Sequence, residues 1–172
     1  MGRKLLVFWF CLQLHNLLAT EGLSYYRKLL QESENNYYAA KLLYEKTNNM
    51  SVATTPVLKG FNAMANIMLC KHEVNPILKL NYFKKGKSSL EEAIANSPDN
   101  IELIFFRYSV QLNVPAVLAY NSSLKKDRQL LFSFLTGDIK TKQTDMELYE
   151  NIKQFMIAKK IYTKEELENK IK

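Results

Sequence analysis

The chain has 172 residues and a formal net charge of +7, with 47% hydrophobic and 24% charged residues. That is enough for one real core and too little for two substantial domains. Five Gly and four Pro are too few for a sandwich or barrel, which needs turn chemistry about every eight to twelve residues.

Arg3 and Lys4 form a short positive segment, and Leu5 to Leu12 (LLVFWFCL) is an unbroken apolar run that weakens through Leu14 to Ala19. The run is shorter than the roughly 20 apolar residues of a transmembrane helix, and Gln13, His15 and Asn16 interrupt its continuation. Residues 1–20 therefore read as a cleavable signal peptide, with the cut after Ala19 or after Gly22. Residues 21–172 are then a single helical domain, exported to the periplasm or cell envelope. An uncleaved membrane tether is the competing reading of the same segment. Loss of Arg3 and Lys4 takes the 24 basic residues to 22 against 17 acidic, a net charge of +5. Cys70 and His72 are then the one cysteine and the one histidine left. A single thiol makes no internal disulfide and a single imidazole no His cluster, so packing must supply the stability.

Residues 23–47 predict one or two helices. Leu23, Tyr26 and Leu29/Leu30 recur at helical spacing, and Ser33 is placed to cap a second helix carrying Tyr37, Tyr38, Leu42 and Leu43. After a polar loop, Pro56 suits the first turn of a helix marked by Val57, Phe61, Ala65, Met68 and Leu69. Asn75-Pro76 opens the next helix, where Leu80, Phe83, Gly86, Leu90, Ala93 and Ile94 make one apolar stripe. Gly86 lies inside that stripe, where the missing Cβ permits another helix to approach, that of residues 57–72 or 101–112.

Residues 101–112 predict a helix apolar on two sides: Ile101, Ile104, Phe105, Tyr108 and Leu112 on one, Leu103, Phe106 and Val110 on the other. Such a helix is sandwiched between neighbours. Ser122 or Ser123 can cap a helix ended by Gly137. Thr144 with Glu147 and Thr163 with Glu166 match the capping box, so two more helices follow. The fold class expected is all-α, an antiparallel stack of helical hairpins with about six to eight helices.

The stretch Gly86 to Asn100 (GKSSLEEAIANSPDN) resembles the second helix of a tetratricopeptide repeat with its closing proline turn. Gly86 and Ala93 stand at the motif's small positions, Leu90 at its large apolar position and Pro98 at its turn. Arg107 and Tyr108 replace the usual Leu-Gly pair in the following helix, so the likeness covers about one repeat. A longer likeness, in Lys71-His72, Asn75-Pro76, Tyr82 to Lys87, Phe106-Arg107-Tyr108, Gln111-Leu112-Asn113 and Pro115, is to small exported helical proteins of Bacteroidetes, chiefly flavobacteria. It implies a bacterial envelope location and a helical fold, and no activity.

At about 100° per residue, Arg107 and Gln111 share a narrow polar seam between the two apolar faces of their helix. An arginine so placed needs a partner, because an unpaired buried charge is expensive. Glu73, Asp127 or a loop carbonyl are candidates for an internal pair, with Gln111 satisfying the same partner. The functional alternative is an anion or peptide-carboxylate site. Arg107, Gln111, His72, Asn113 and Tyr120 are accordingly the candidate binding residues; none is placed as catalytic or as a metal ligand, and no cofactor is implied. His72 at a helix end reads as a cap, Cys70 as a small core residue and Glu91-Glu92 as an exposed face. These features point to an exported binding or scaffold protein for a protein or peptide partner. A basic surface resting on anionic membrane headgroups, or an enzyme with a pocket around Arg107, His72 and Tyr120, are the alternatives; nucleic acid has no binding motif here.

Overall fold

The computed structural model describes residues 22–48, 55–137 and 145–168. Residues 1–21, which include the segment read as a signal peptide, and residues 49–54, 138–144 and 169–172 lie outside that description. Among the described residues the chain is all-α, with no strand. A helix over residues 22–33 (α1) is followed by α2 (Tyr37–Thr47), α3 (Pro56–His72), α4 (Pro76–Asn96) and α5 (Ile101–Asn113). A 3₁₀ turn (Ala116–Leu118) leads to α6 (Leu124–Thr136), α7 (Met146–Ala158) and α8 (Lys164–Glu168). Among these, no helix is long and apolar enough to cross a membrane.

Short polar side chains start most of these helices by accepting from exposed first-turn N–H groups. Asn36, Thr55, Asn75, Asn100 and Asp145 do so for α2, α3, α4, α5 and α7. Pro56 and Pro76 occupy the first turn, where a missing N–H costs nothing. The cap expected from Ser33 is made by Asn36 instead, because α1 runs through Ser33, whose hydroxyl donates back to the Leu30 carbonyl. Ser123 precedes α6 without a side-chain capping bond. Thr144 lies outside the described residues, and Asp145 caps α7. Thr163 and Glu166 form the reciprocal box: the Thr163 N–H donates to the Glu166 carboxylate and the Glu166 N–H to the Thr163 hydroxyl.

Helices α3 and α4 form an antiparallel hairpin. Lys59 pairs with Glu92 near one end, and a Cβ on Gly86 would stand 2.8 Å from the Ala63 carbonyl oxygen and from Ile67 Cδ1. Gly86 is therefore a crossing point against α3, one of the two neighbours expected. The stripe containing it is buried at Phe83, Leu90, Ala93 and Ile94, but Leu80 is exposed. Helix α5 is enclosed on both faces, with Leu103, Ile104, Phe106, Tyr108 and Val110 buried.

The odd-numbered helices lie side by side. Tyr26 meets Phe61 at 5.6 Å, Phe61 meets Phe106 at 5.0 Å, and Phe105 meets Phe155 at 5.2 Å between ring centroids. They also run the same way: Glu102 and Glu147 flank Arg27 near one end, whereas Ser33 meets His72 and Asn113 meets Lys159 near the other. Helices α2, α4 and α6 pack against α3 and α5.

Candidate binding groove

The parallel arrangement of α1, α3, α5 and α7 leaves a cleft of about 1370 Å³. Its floor is apolar: Met64, Ile67 and Met68 from α3, Phe105 and Phe106 from α5, and Phe155 from α7 contribute to it. At the far end Leu80 and Phe83 of α4 and Val117 and Leu118 of the 3₁₀ turn join the lining. Ligand sites commonly reach only about 300–1,000 Å³, so the cleft is large for a single small molecule. Gln31, Ser109, Asn113, Asn151 and Gln154 add polar groups along its walls.

One end of the cleft carries a buried charge cluster. Arg27 donates from Nε and Nη2 to the two Glu102 oxygens at 2.7 and 2.9 Å, and from Nη1 and Nη2 to Asp145 at 2.9 and 2.6 Å. Its Nη1 also donates to Glu147 at 3.0 Å, and Ser24 donates to the other Glu147 oxygen at 3.1 Å. The cluster ties α1 to α5 and to the start of α7. Burial works to lower the Arg27 pKa, and the bonds to Glu102 and Asp145 outweigh it, so the guanidinium stays charged. Burial pushes the Glu102 carboxyl up, more than its bond to Arg27 pulls it down.

Arg107 belongs to a second cluster outside the cleft. Its Nε and Nη2 donate to the two Asp127 oxygens at 2.8 Å each, and Nη1 donates to Glu91 at 3.0 Å. Tyr120 donates its hydroxyl to the other Glu91 oxygen at 2.6 Å. The Asp127 bonds raise the Arg107 pKa, and burial together with Glu91 raises that of the Tyr120 phenol. A guanidinium held by two carboxylates has no net charge to offer an anion. Glu91, read from the sequence as part of an exposed face, is the link between Arg107 and Tyr120.

The other candidates do not gather there. Gln111 is buried, but neither its amide nitrogen nor its oxygen has a hydrogen-bond partner among the described residues, so it does not share Asp127. His72 donates from Nε2 to the Ser33 carbonyl at 2.8 Å and lies edge-on to Tyr37. Asn113 donates to the Ser109 carbonyl and accepts from Lys159; of the five candidates it alone lines the cleft. His72 contacts Ser33 and Tyr37, whereas Arg107 and Tyr120 meet at Glu91. Cys70 lines the cleft half-buried, with its thiol pushed up by burial.

Arg27 and its acids were missed in the sequence because the partners stand 75 and more residues away. The available signal was an arginine inside the Leu23–Leu30 apolar run, the same signal that drew attention to Arg107. Among the described residues no group of three or more His, Cys, Asp or Glu side chains is arranged to hold a metal ion. No family model, curated protein or solved structure matches the chain.

Proposed function

We propose that the chain is an exported helical binding protein of the bacterial envelope that holds a peptide or a segment of a partner protein in the groove between α1, α3, α5 and α7. The observation that carries this reading is the 1370 Å³ cleft with its apolar floor and polar walls. An apolar surface this continuous is costly to leave in water and is a common mark of an interaction site. Export is supported by Arg3-Lys4 followed by LLVFWFCL. A tetratricopeptide-like repeat is supported by the α3/α4 hairpin, by Gly86 and Ala93 as its small buried positions, and by Pro98 in the turn after α4.

A non-enzymatic role fits the side chains near the cleft. A thiol with a raised pKa stays protonated at neutral pH and is a poor nucleophile, and the His72 ring is engaged with a backbone carbonyl. The membrane-surface alternative has less support. Lys59 and Lys71 pair with acids, and Arg128 and Lys87 stand over the rings of Tyr162 and Tyr120, so these four basic side chains already have partners.

The test compares the wild type with Met68→Arg, which puts a charge into the half-buried floor, on an array of random hexapeptides. The reading expects a set of apolar-rich peptides retained by the wild type and lost in the variant. No retained peptide, or equal retention by a folded variant, would overturn it.

A further inference from the structure

The two ends of the helical stack carry different turns. At the Arg27 end, α4 passes to α5 through Ser97, Pro98, Asp99 and Asn100, a polar turn. At the other end lie the turns from α1 to α2 and from α3 to α4, and the 3₁₀ turn after α5. Tyr37 stands edge-on to His72 there, and Lys159 reaches Asn113. The tips of these turns are apolar: Val74 is 92% exposed, Val117 88%, Tyr38 79% and Ile77 71%. Single exposed apolar side chains are ordinary on any surface, but a set gathered on neighbouring turns marks a contact surface.

The charge at this end is basic. Lys79 donates to the Glu73 carbonyl at 3.1 Å and Lys159 to the Asn113 side chain at 3.0 Å, both neutral acceptors, and Lys160 follows in the same turn. None of these lysines forms an ion pair among the described residues. Lys71 and Glu34 pair with each other, and the Glu73 carboxylate accepts from the Val74 and Asn75 N–H groups. The composition selects the partner. Protein–protein interfaces are depleted in Lys and draw their anchors from Trp, Tyr and Arg. These turns hold no Trp or Arg, and Tyr is equally at home at the headgroup level of a bilayer. A lysine stem lies along apolar surface while its ammonium reaches a phosphate.

We propose that this end of the molecule rests on a lipid surface with anionic headgroups, with Val74, Ile77 and Val117 entering the acyl boundary and Lys79, Lys159 and Lys160 meeting the phosphates. The contact is peripheral, since no described helix is long and apolar enough to cross a membrane. It goes beyond the groove reading and needs none of Lys59, Lys71, Lys87 and Arg128, which already have partners.

The test is co-sedimentation of the full chain with vesicles of equal parts phosphatidylcholine and phosphatidylglycerol, and with vesicles of phosphatidylcholine alone. Wild type is compared with Val74→Ser/Ile77→Ser and with Lys79→Gln/Lys159→Gln. Residues 1–21 are the same in all three proteins, so differences between them report on this end. The substituted side chains are exposed, and circular dichroism checks that each variant keeps its helices. Wild type should partition to the anionic vesicles about tenfold more strongly than either variant does, and about tenfold more strongly than to the neutral vesicles, with salt weakening the contact. Equal partitioning of wild type and either folded variant would overturn the assignment, as would equal partitioning of wild type to the two kinds of vesicle. A wild-type dimer in sedimentation equilibrium that the serine variant loses would overturn it in favour of an interface between copies of the chain.

Discussion

Arg107 and Asp127 face one another across α5 and α6 through two parallel hydrogen bonds of 2.8 Å, and the Asp127 side chain is wholly buried. Asp127 occupies the Nε–Nη2 edge of the guanidinium and Glu91 takes Nη1 on the other side, so both edges that would meet an anionic ligand are already engaged. Arg107→Ala leaves the Asp127 carboxylate buried with no cation, and should destabilise the fold by about 3–5 kcal/mol. Urea denaturation measures this directly, and a loss within experimental error of zero would remove the pair from the account.

Gly86 lies under the Ala63 backbone carbonyl and the Ile67 side chain, with 2.8 Å to either from the position of an added Cβ. The isoleucine can rotate, but the carbonyl belongs to α3 and moves only with it. Gly86→Leu should therefore cost on the order of 1–3 kcal/mol by overpacking the hairpin. Melting that matches the parent would mean that α3 and α4 do not cross at this residue.

Gln111 offers a substitution in the opposite direction. Its amide is buried without a hydrogen-bond partner among the described residues, and an unsatisfied buried polar group costs about 1–3 kcal/mol. Gln111→Met keeps the length and removes the unpaired atoms, so the variant should be about 1 kcal/mol more stable than the wild type. A lower denaturation midpoint would show that the amide has a partner on which the fold depends.

Burial holds the Glu102 carboxyl above its ordinary value of 4.5. The native state then binds that proton more tightly than the unfolded chain does. The resulting stability is fully present below pH 4.5 and is lost as the pH rises through the raised value. Glu102→Gln removes this titration and, at every pH, one of the three carboxylates around Arg27. The advantage of wild type over Glu102→Gln, read from urea midpoints across a pH series, should be largest in acid and shrink towards neutrality. An advantage that grows with pH would show that Arg27 depresses the carboxyl instead.

What the sequence revealed followed the range of the interactions concerned. Helix α5 was legible because its two apolar faces and the single Arg107 between them are a property of thirteen consecutive residues, and a buried arginine has few ways to be satisfied. Asp127 stood among the candidate partners beside Glu73 and a loop carbonyl, and the fold selects it from twenty residues downstream. The second helix of the hairpin was legible through the spacing of Gly86, Leu90 and Ala93. The groove was not, since it exists only when α1, α3, α5 and α7 align, and no local pattern reports which helices become neighbours. Arg27 shows the same limit: its seat depends on Asp145 and Glu147, 118 and 120 residues away. Gln111 was misread as a companion of Arg107 because one turn of separation places two side chains on one face without giving them a common partner.

The central claim is that the groove between the odd-numbered helices is where a peptide partner sits, and Cys70, which lines it, reports occupancy directly. The measurement is the rate of Cys70 alkylation at mildly alkaline pH, followed by mass mapping, with and without a saturating apolar-rich hexapeptide retained by the wild type on the array. The account predicts that bound peptide slows alkylation several-fold. An unchanged rate in the presence of demonstrably bound peptide would place the partner elsewhere on the molecule and contradict it.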